Sequence, residues 1–430
     1  MLKALKSNQD KIAIIDKGKE HSYQHLIDRI NLYKSLIKDE LSNGDIVALR
    51  AIYSFESIAM FIALYLNKNI VALLPDSPNL DEYLQSSNAN KLIEIKSQIN
   101  IKSLNPPKHD KIKELNNQSG LIIFSSGTLN KPKAIIHNLD NMVKNFADKR
   151  ANSLRIILFL LFDHIGGINT LLSGLLSGST LIIASDFSPK NICYLISKYK
   201  AHILPTTPSF LNLLLMTKEY ENYDLSSLRL ITYGTERMDE NILIRLKNIF
   251  KKVKFIQTFG TSESGILPTT SKSSISTYFK LKPDEYKIKD GRLFLKSKTM
   301  FLGYMNLDSD NQWFDSGDLV KQDGDGFLKI IGRSKEIINV GGKKLLASEV
   351  ESCILELDEI KDALVYALPC EILGQMVACD VVCDLAKSNA KELIKSHCKA
   401  RLERYKIPVK INIVDEITFT NRFKKDRKLR

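Results

Sequence analysis

"LIIFSSGTLNKPKAIIHN", residues 121–138, joins two apolar runs through a small, polar, cationic loop. The runs at 121–124 and 134–137 read as buried strands. Between them, the backbone N–H groups around Gly127, the hydroxyls of Ser125, Ser126 and Thr128, and the ammonium of Lys133 could together surround a phosphate chain. The pattern G-x-x-x-x-G-K-[ST] of the familiar phosphate loop is not met, because no second glycine precedes the lysine. Taken alone, the stretch is either a different phosphate loop or an ordinary polar turn.

Outward from this loop, the chain up to about residue 330 alternates strand-like runs ("KIAIID", "DIVALRAI", "TLIIAS", "LRLITYG", "VKFIQTFG") with segments of helical period ("YQHLIDRINLYKSLIKDEL", "NILIRLKNIFKK"). That alternation predicts an α/β architecture with largely parallel strands, whose carboxyl ends are where such sheets bind ligands. Near 333 the pattern turns to helix, strand, strand, helix, strand, which predicts a compact α+β unit. The expected fold is therefore a large N-terminal multi-sheet α/β domain, 1–332, and a small C-terminal α+β domain, 333–430.

With 430 residues and 44% hydrophobic content, the chain has enough apolar material for a large core and two or three domains. The N-terminus lacks the apolar segment of a signal peptide, and "IILFLLF" at 156–162 is too short to span a bilayer. Cys379 and Cys383, four apart in an apolar run, share one strand face, which suits packing better than metal binding. No zinc-ligand spacing occurs. A reduced, cytoplasmic protein without a membrane span is expected. The net charge of +13 points to anionic partners. With no basic stripe interleaved with aromatics, nucleic acid is not expected among them.

Further motifs each admit a plain structural explanation. "TYGTERM" (232–238) and "TFGTSESG" (258–265) put a glycine turn and a glutamate after a strand, where a glutamate often caps a helix. "WFDSGDL" (313–319) reads as a turn holding Asp318 between strands. "GGKKLLASEVE" reads as a glycine turn followed by Ser348 capping a helix, with Glu351 at the capping-box position. The tail "TNRFKKDRKLR" is strongly basic and reads as a frayed end.

In order and together, these stretches resemble the adenylate-forming superfamily of acyl-CoA synthetases, peptide-synthetase adenylation domains and luciferase. "FSSGTLNKPKA" is similar to its signature loop T-S-G-T-T-G-x-P-K-G, "YGTE" to the adenine-pocket G-A/G-E, "FGTSE" to Y-G-x-T-E, and "FDSGDL" to Y-x-T-G-D-L. "GRSKEIINVGGKKLLASEVE" is similar to the hinge stretch, and the tail to T-x-N-G-K-I-D-R. The resemblance implies ATP and Mg2+, with Ser125, Ser126, Gly127, Thr128 and Lys133 around the β- and γ-phosphates. It also implies Glu263 with Thr128 on the metal, Ser262 on phosphate, and Phe259 stacked on adenine beside Gly234, Thr235, Glu236 and Gly260. Asp318 and Arg333 would bind the ribose hydroxyls. Lys424 would bridge the α-phosphate and the substrate carboxylate, and Lys335 would be the hinge on which a mobile small domain swings. Asn130 and Ala134 replace two glycines of the signature loop, and Phe423 replaces the glycine before the lysine. An inactive nucleotide-binding relative therefore remains an alternative.

For the acid, "LFLLFDHIGGINTLL" permits two alignments. Asp163 would pair with an α-ammonium group if the substrate is an amino acid destined for a carrier protein. His164 would instead gate an acyl pocket, with Gly166 and Gly167 leaving room beside it, and this is the expected case. Gly341 and Gly342 resemble the turn lining a pantetheine tunnel, so the implied acceptor is the thiol of coenzyme A or of an acyl carrier protein.

Overall fold

The computed structural model describes residues 1–96, 98–105, 115, 117–126, 132–146, 151–306, 313–420 and 425–426, with Ser126 described by its backbone. The two apolar runs of the opening stretch are adjacent antiparallel strands, Gly120–Ser126 and Pro132–Asn138, with Ser125 opposite Lys133 and Ser126 opposite Pro132. They belong to a seven-stranded sheet whose middle strands, Ile70–Leu73, Ile46–Arg50 and Lys91–Ile95, run parallel. A second seven-stranded sheet runs from Lys254–Gln257 through Leu230–Tyr233, Ile203–Thr206, Arg155–Leu158, Thr180–Ile183 and Ile12–Asp16 to Lys19–Ser22. It is parallel except for its last pair.

The expected parallel α/β character thus holds for the cores of both sheets. Their residues share one hydrophobic cluster with the Tyr23–Ile37, Phe55–Leu66 and Ile165–Leu176 helices. Phe55–Leu66 buries every residue from Ser57 to Tyr65. Such a helix, apolar all round, is stable only when enclosed on all sides. Its start is fixed by a capping box in which Ser54 and Ser57 exchange hydrogen bonds.

A six-stranded, fully antiparallel sheet was not foreseen from the sequence. Its long strands are Phe314–Gln322 and Leu328–Arg333, joined by a turn in which Asp323 accepts from the N–H groups of Asp325 and Phe327. Asp318 consequently sits inside a strand, opposite Arg333, and not in the expected turn. Ser348 is also displaced from its expected role. The Ala347–Ile354 helix has Leu346 at its N-cap, two residues earlier, and Ser348 Oγ donates to the Ile331 carbonyl while Glu351 accepts from the Val365 N–H.

The C-terminal sheet pairs Lys343–Leu346, Ile337–Val340, Gly374–Cys383 and Ile360–Cys370, and Lys410–Ile413 adds in parallel to Gly374–Cys383. The Ala347–Ile354 and Lys387–Arg401 helices complete the expected α+β unit. Its core is continuous with the cluster under the Pro208–Thr217 and Glu240–Ile249 helices. Among the described residues no helix is long and apolar enough to cross a membrane.

Arg245 ties the two parts together, because its guanidinium donates to the carbonyls of Leu355, Leu357 and Ile360 at 3.1–3.2 Å. Arg245→Leu leaves those oxygens without their charged donor. It is expected to lower stability by about 1.5–3 kcal/mol and to speed limited proteolysis near residues 334–336. An unchanged unfolding midpoint and cleavage rate would contradict the role given to this arginine.

Candidate active site

A cavity of about 800 Å³ opens where the parallel strands Leu230–Tyr233 and Lys254–Gln257 end, and the C-terminal unit closes it from the other side. Its wall takes Ser125, Thr235, Glu236, Phe259, Gly260 and Asp318 from the large part, with Arg333, Glu336, Ser348, Glu351 and Lys425 from the small one. The structure therefore brings together residues separated by up to 300 positions in the chain.

Gly234 is required by a close approach: a Cβ there would lie 2.5 Å from Thr258 Oγ1 and 2.8 Å from the Thr258 carbonyl. The next residue, Thr235, is held at φ +71°, in the left-handed region that a β-branched side chain rarely occupies. Thr235 Oγ1 and Gln257 Oε1, both beside the cavity, are buried and lack a hydrogen-bond partner among the described residues. Buried polar atoms of this kind invite a ligand with a polar edge. Glu236 accepts from the backbone N–H and hydroxyl of Ser209 at the start of the Pro208–Thr217 helix. Phe259 packs on Phe279 at 5.3 Å between ring centroids, so its ring is largely part of the antiparallel sheet's core.

Asp318 is buried and accepts from Arg333 Nε at 3.2 Å, while the Arg333 side chain stays half exposed. A carboxylate oriented in this way can accept from two neighbouring hydroxyls. Beyond the cavity wall, Tyr304 donates to Glu263 Oε1 at 3.1 Å, and Lys133 Nζ lies 5.3 Å from the Tyr304 ring centre. Burial and the Glu263 carboxylate push the Tyr304 phenol above its ordinary range, so it remains a donor.

One residue that the motifs did not flag holds this corner together. His137 is fully buried, with Nε2 2.7 Å from the Ser262 carbonyl and Nδ1 3.3 Å from the Thr299 carbonyl. The shorter contact assigns the ring N–H to Nε2. His137 thereby fixes the segment that carries Ser262 and Glu263 to the strand that carries Lys133. In sequence it was visible only as one polar residue inside the apolar run "AIIHN".

Gly127, Thr128 and Lys424 lie outside the described residues, and so does the side chain of Ser126. Lys425 lies in the cavity wall and donates to Asp362 Oδ1 and, at 2.8 Å, to the Ala363 carbonyl. Lys335 is exposed in the turn Ser334–Glu336 that follows the last strand of the antiparallel sheet. Gly341 and Gly342 form the exposed tip of the 337–346 hairpin and are not part of the cavity wall.

The expected arrangement at 163–167 needs correction. Asp163 lines the cavity, whereas His164 is the N-cap of the Ile165–Leu176 helix, its Nδ1 accepting from the Gly166 N–H at 3.1 Å. Gly166 and Gly167 do not leave space for a substrate. A Cβ on Gly167 would lie 2.0 Å from the Leu161 carbonyl, and one on Gly166 2.8 Å from Leu160 Cδ1. The glycines let the helix start pack on the 160–161 segment.

Residues 68–304 match the sequence profile of the AMP-binding enzyme family, and residues 349–424 that of the AMP-binding enzyme C-terminal domain. The chain is 26% identical over 324 residues to the long-chain-fatty-acid–CoA ligase FadD13 of Mycobacterium tuberculosis, covering 69% of this chain and 64% of that one. It is 28% identical over 348 residues to the peroxisomal OPC-8:0-CoA ligase 1 of Arabidopsis thaliana, with 72% and 64% covered. The matched region thus spans under two thirds of these relatives' length. The fold is similar to that of the anthranilate CoA ligase AuaEII solved with anthranoyl-AMP, at TM-score 0.82 and 18% identity over 99% of this chain and 95% of that one.

Burial pulls the His137 pKa down from 6.5 to about 4. Because the unfolded chain then takes up the proton first, His137 contributes stability that is full above pH 6.5 and is lost as the pH falls toward 4. This group alone should tilt the unfolding free energy by up to about 1.4 kcal/mol per pH unit in that window. His137→Gln should flatten the profile by that amount in urea unfolding. Parallel profiles for the two proteins would contradict the neutral, buried imidazole.

Proposed function

The chain belongs to the AMP-binding enzyme family, and from that premise we propose that it joins a carboxylic acid to a thiol at the expense of ATP, through an acyl-adenylate. The observation that carries the reading is the cavity itself. Asp318 paired with Arg333, the unpartnered polar atoms of Thr235 and Gln257, and Ser125, which sits opposite Lys133 in the strand pair, stand around one space of nucleotide size. In the first step a carboxylate oxygen attacks the α-phosphorus and pyrophosphate leaves. In the second, a thiol sulfur attacks the acyl carbonyl and AMP leaves.

Thr235 Oγ1 and Gln257 Oε1 would bond the base, with Phe259 contributing the edge of its ring. Asp318 would accept from the ribose hydroxyls and Arg333 would hold Asp318 in place. Ser125, Ser126, Gly127, Thr128 and Lys133 would position the β- and γ-phosphates, where stabilising developing charge is the main catalytic task. A magnesium ion fits the Glu263 carboxylate, since Tyr304 takes Oε1 and no described residue takes Oε2. Held there with Thr128, it would supply positive charge to the phosphoryl oxygens.

We divide the chain at 332/333, where the antiparallel sheet ends at Arg333 and the C-terminal sheet begins at Ile337, with Lys335 as hinge. The acceptor is taken to be the pantetheine thiol of coenzyme A, the name carried by the ligases this chain resembles. A phosphopantetheinylated carrier protein would present the same thiol. The acid is taken to lack an α-amino group, like the substrates those ligases are named for. Asp163 in the cavity wall supports a second reading, an amino acid whose ammonium group it would pair.

ATP–pyrophosphate exchange against a panel of acids separates these readings. In the first, an acid without an α-amino group supports exchange and Asp163→Asn leaves its apparent affinity nearly unchanged. In the second, only amino acids support exchange, and Asp163→Asn weakens them by two to three decades, the effect of about 3–5 kcal/mol for stranding one partner of a buried pair. Exchange with no acid at all would remove the proposal.

The two tail lysines should separate as well. Lys425 is already bound to Asp362 and Ala363, which supports Lys424 as the residue that meets the α-phosphate. Lys424→Ala should slow adenylation by on the order of 10² or more and spare thioester formation from preformed acyl-AMP. Lys425→Ala should instead destabilise the protein, because it leaves Asp362 buried and unpaired. The reverse pattern would contradict the assignment.

A further inference from the structure

A second constellation lies away from the cavity, between the ends of the Ala347–Ile354 and Lys387–Arg401 helices. Cys353 Sγ, a carboxylate oxygen of Glu356 and a ring nitrogen of His397 all lie within 4.8 Å of one another. His397 Nε2 is 3.0 Å from Glu356 Oε2, and Arg401 Nε donates to that same oxygen at 2.8 Å. The thiol of Cys398, next to His397 in the chain, is fully buried. None of these residues lines the nucleotide cavity.

We propose that Cys353, Glu356 and His397, with a water molecule in the fourth position, bind a divalent transition ion of zinc character that clamps the two helices together. The donor chemistry selects the class. A thiol, an imidazole and a carboxylate suit zinc and its neighbours, whereas calcium and magnesium require oxygen ligands. Zinc bonds of about 2.0–2.3 Å in a tetrahedron bring donors to within roughly 3.3–3.8 Å of one another, so the observed spread closes with small side-chain rotations. Spacing explains why the site escapes a search of the sequence. Cys353 and Glu356 are three residues apart at the end of one helix, and His397 comes from a helix some 40 residues later.

Binding is balanced by proton release. The Cys353 thiol loses its proton to solvent, and ligation through His397 Nε2 leaves the ring proton on Nδ1. Arg401 is half exposed and gives up its contact with Glu356 as the ion takes over the carboxylate's charge. Without an ion, Glu356, His397 and Arg401 form a hydrogen-bonded cluster beside the buried Cys353 thiol.

The test uses the full chain, stripped with a chelator and titrated with cobalt(II) as a spectroscopic substitute for zinc. We expect a thiolate-to-cobalt charge-transfer band and tetrahedral d–d bands that saturate at a single ion per chain, and that zinc bleaches. Zinc should also raise the melting temperature of the stripped protein. Cys353→Ser should abolish the charge-transfer band, and His397→Gln should weaken binding by at least about tenfold. His397→Gln, which keeps a polar side chain at that position, carries the test if the cysteine variant does not fold. Absence of any band at about 100 µM cobalt, or bands that persist unchanged in His397→Gln, would overturn the site.

Discussion

The ion pair between Asp362 and Lys425 is the interaction on which the arrangement of the cavity turns. Asp362 is 1% exposed, and a carboxylate so deeply buried must be paired or protonated. Lys425 answers it with its ammonium, which also reaches the Ala363 carbonyl. Because Lys425 belongs to the basic tail and Asp362 to the Ile360–Cys370 strand, the pair draws the tail onto the C-terminal sheet. An antiparallel bridge pairs Phe419 with Lys425, and Thr420, Lys425 and Asp426 become cavity wall. Arg245 then seats that whole unit on the large part, so the cavity has two sides.

The remaining polar groups gain meaning from that enclosure. His137 is kept neutral by burial and acts as a strut between two backbone carbonyls, so that Glu263 and Lys133 hold their separation without a charge of its own. Thr235 and Gln257 keep unpartnered oxygens beside the same space, a local deficit that a bound nucleotide would repair. Glu236 is different. Its bonds to Ser209 make it part of the frame, and it is the neighbouring Thr235 that is left to meet a ligand.

Most of the fold was legible because it consists of long, strongly periodic segments such as Tyr23–Ile37 and strands of continuous apolar residues such as Leu230–Tyr233. The antiparallel sheet was not, since members such as Thr270–Ser271 and Phe279–Lys280 are too short to show a period. Site residues such as Asp318 and Glu263 stood out by motif. Their neighbours' roles did not. Gly167 looked like room for a substrate and is packing contact with Leu161, Ser348 looked like a cap and is a tether to Ile331, and His137 looked like nothing at all. Each depends on a partner far away in the chain, and a single sequence records no such pairing.

The central claim is that the acid's own oxygen attacks the α-phosphorus. It is tested most directly by running the reaction with an acid labelled with oxygen-18 in its carboxylate and reading the products by mass spectrometry. An acyl-adenylate route leaves one labelled oxygen in AMP and none in pyrophosphate. Label recovered in inorganic phosphate, with ADP as the nucleotide product, would contradict the account.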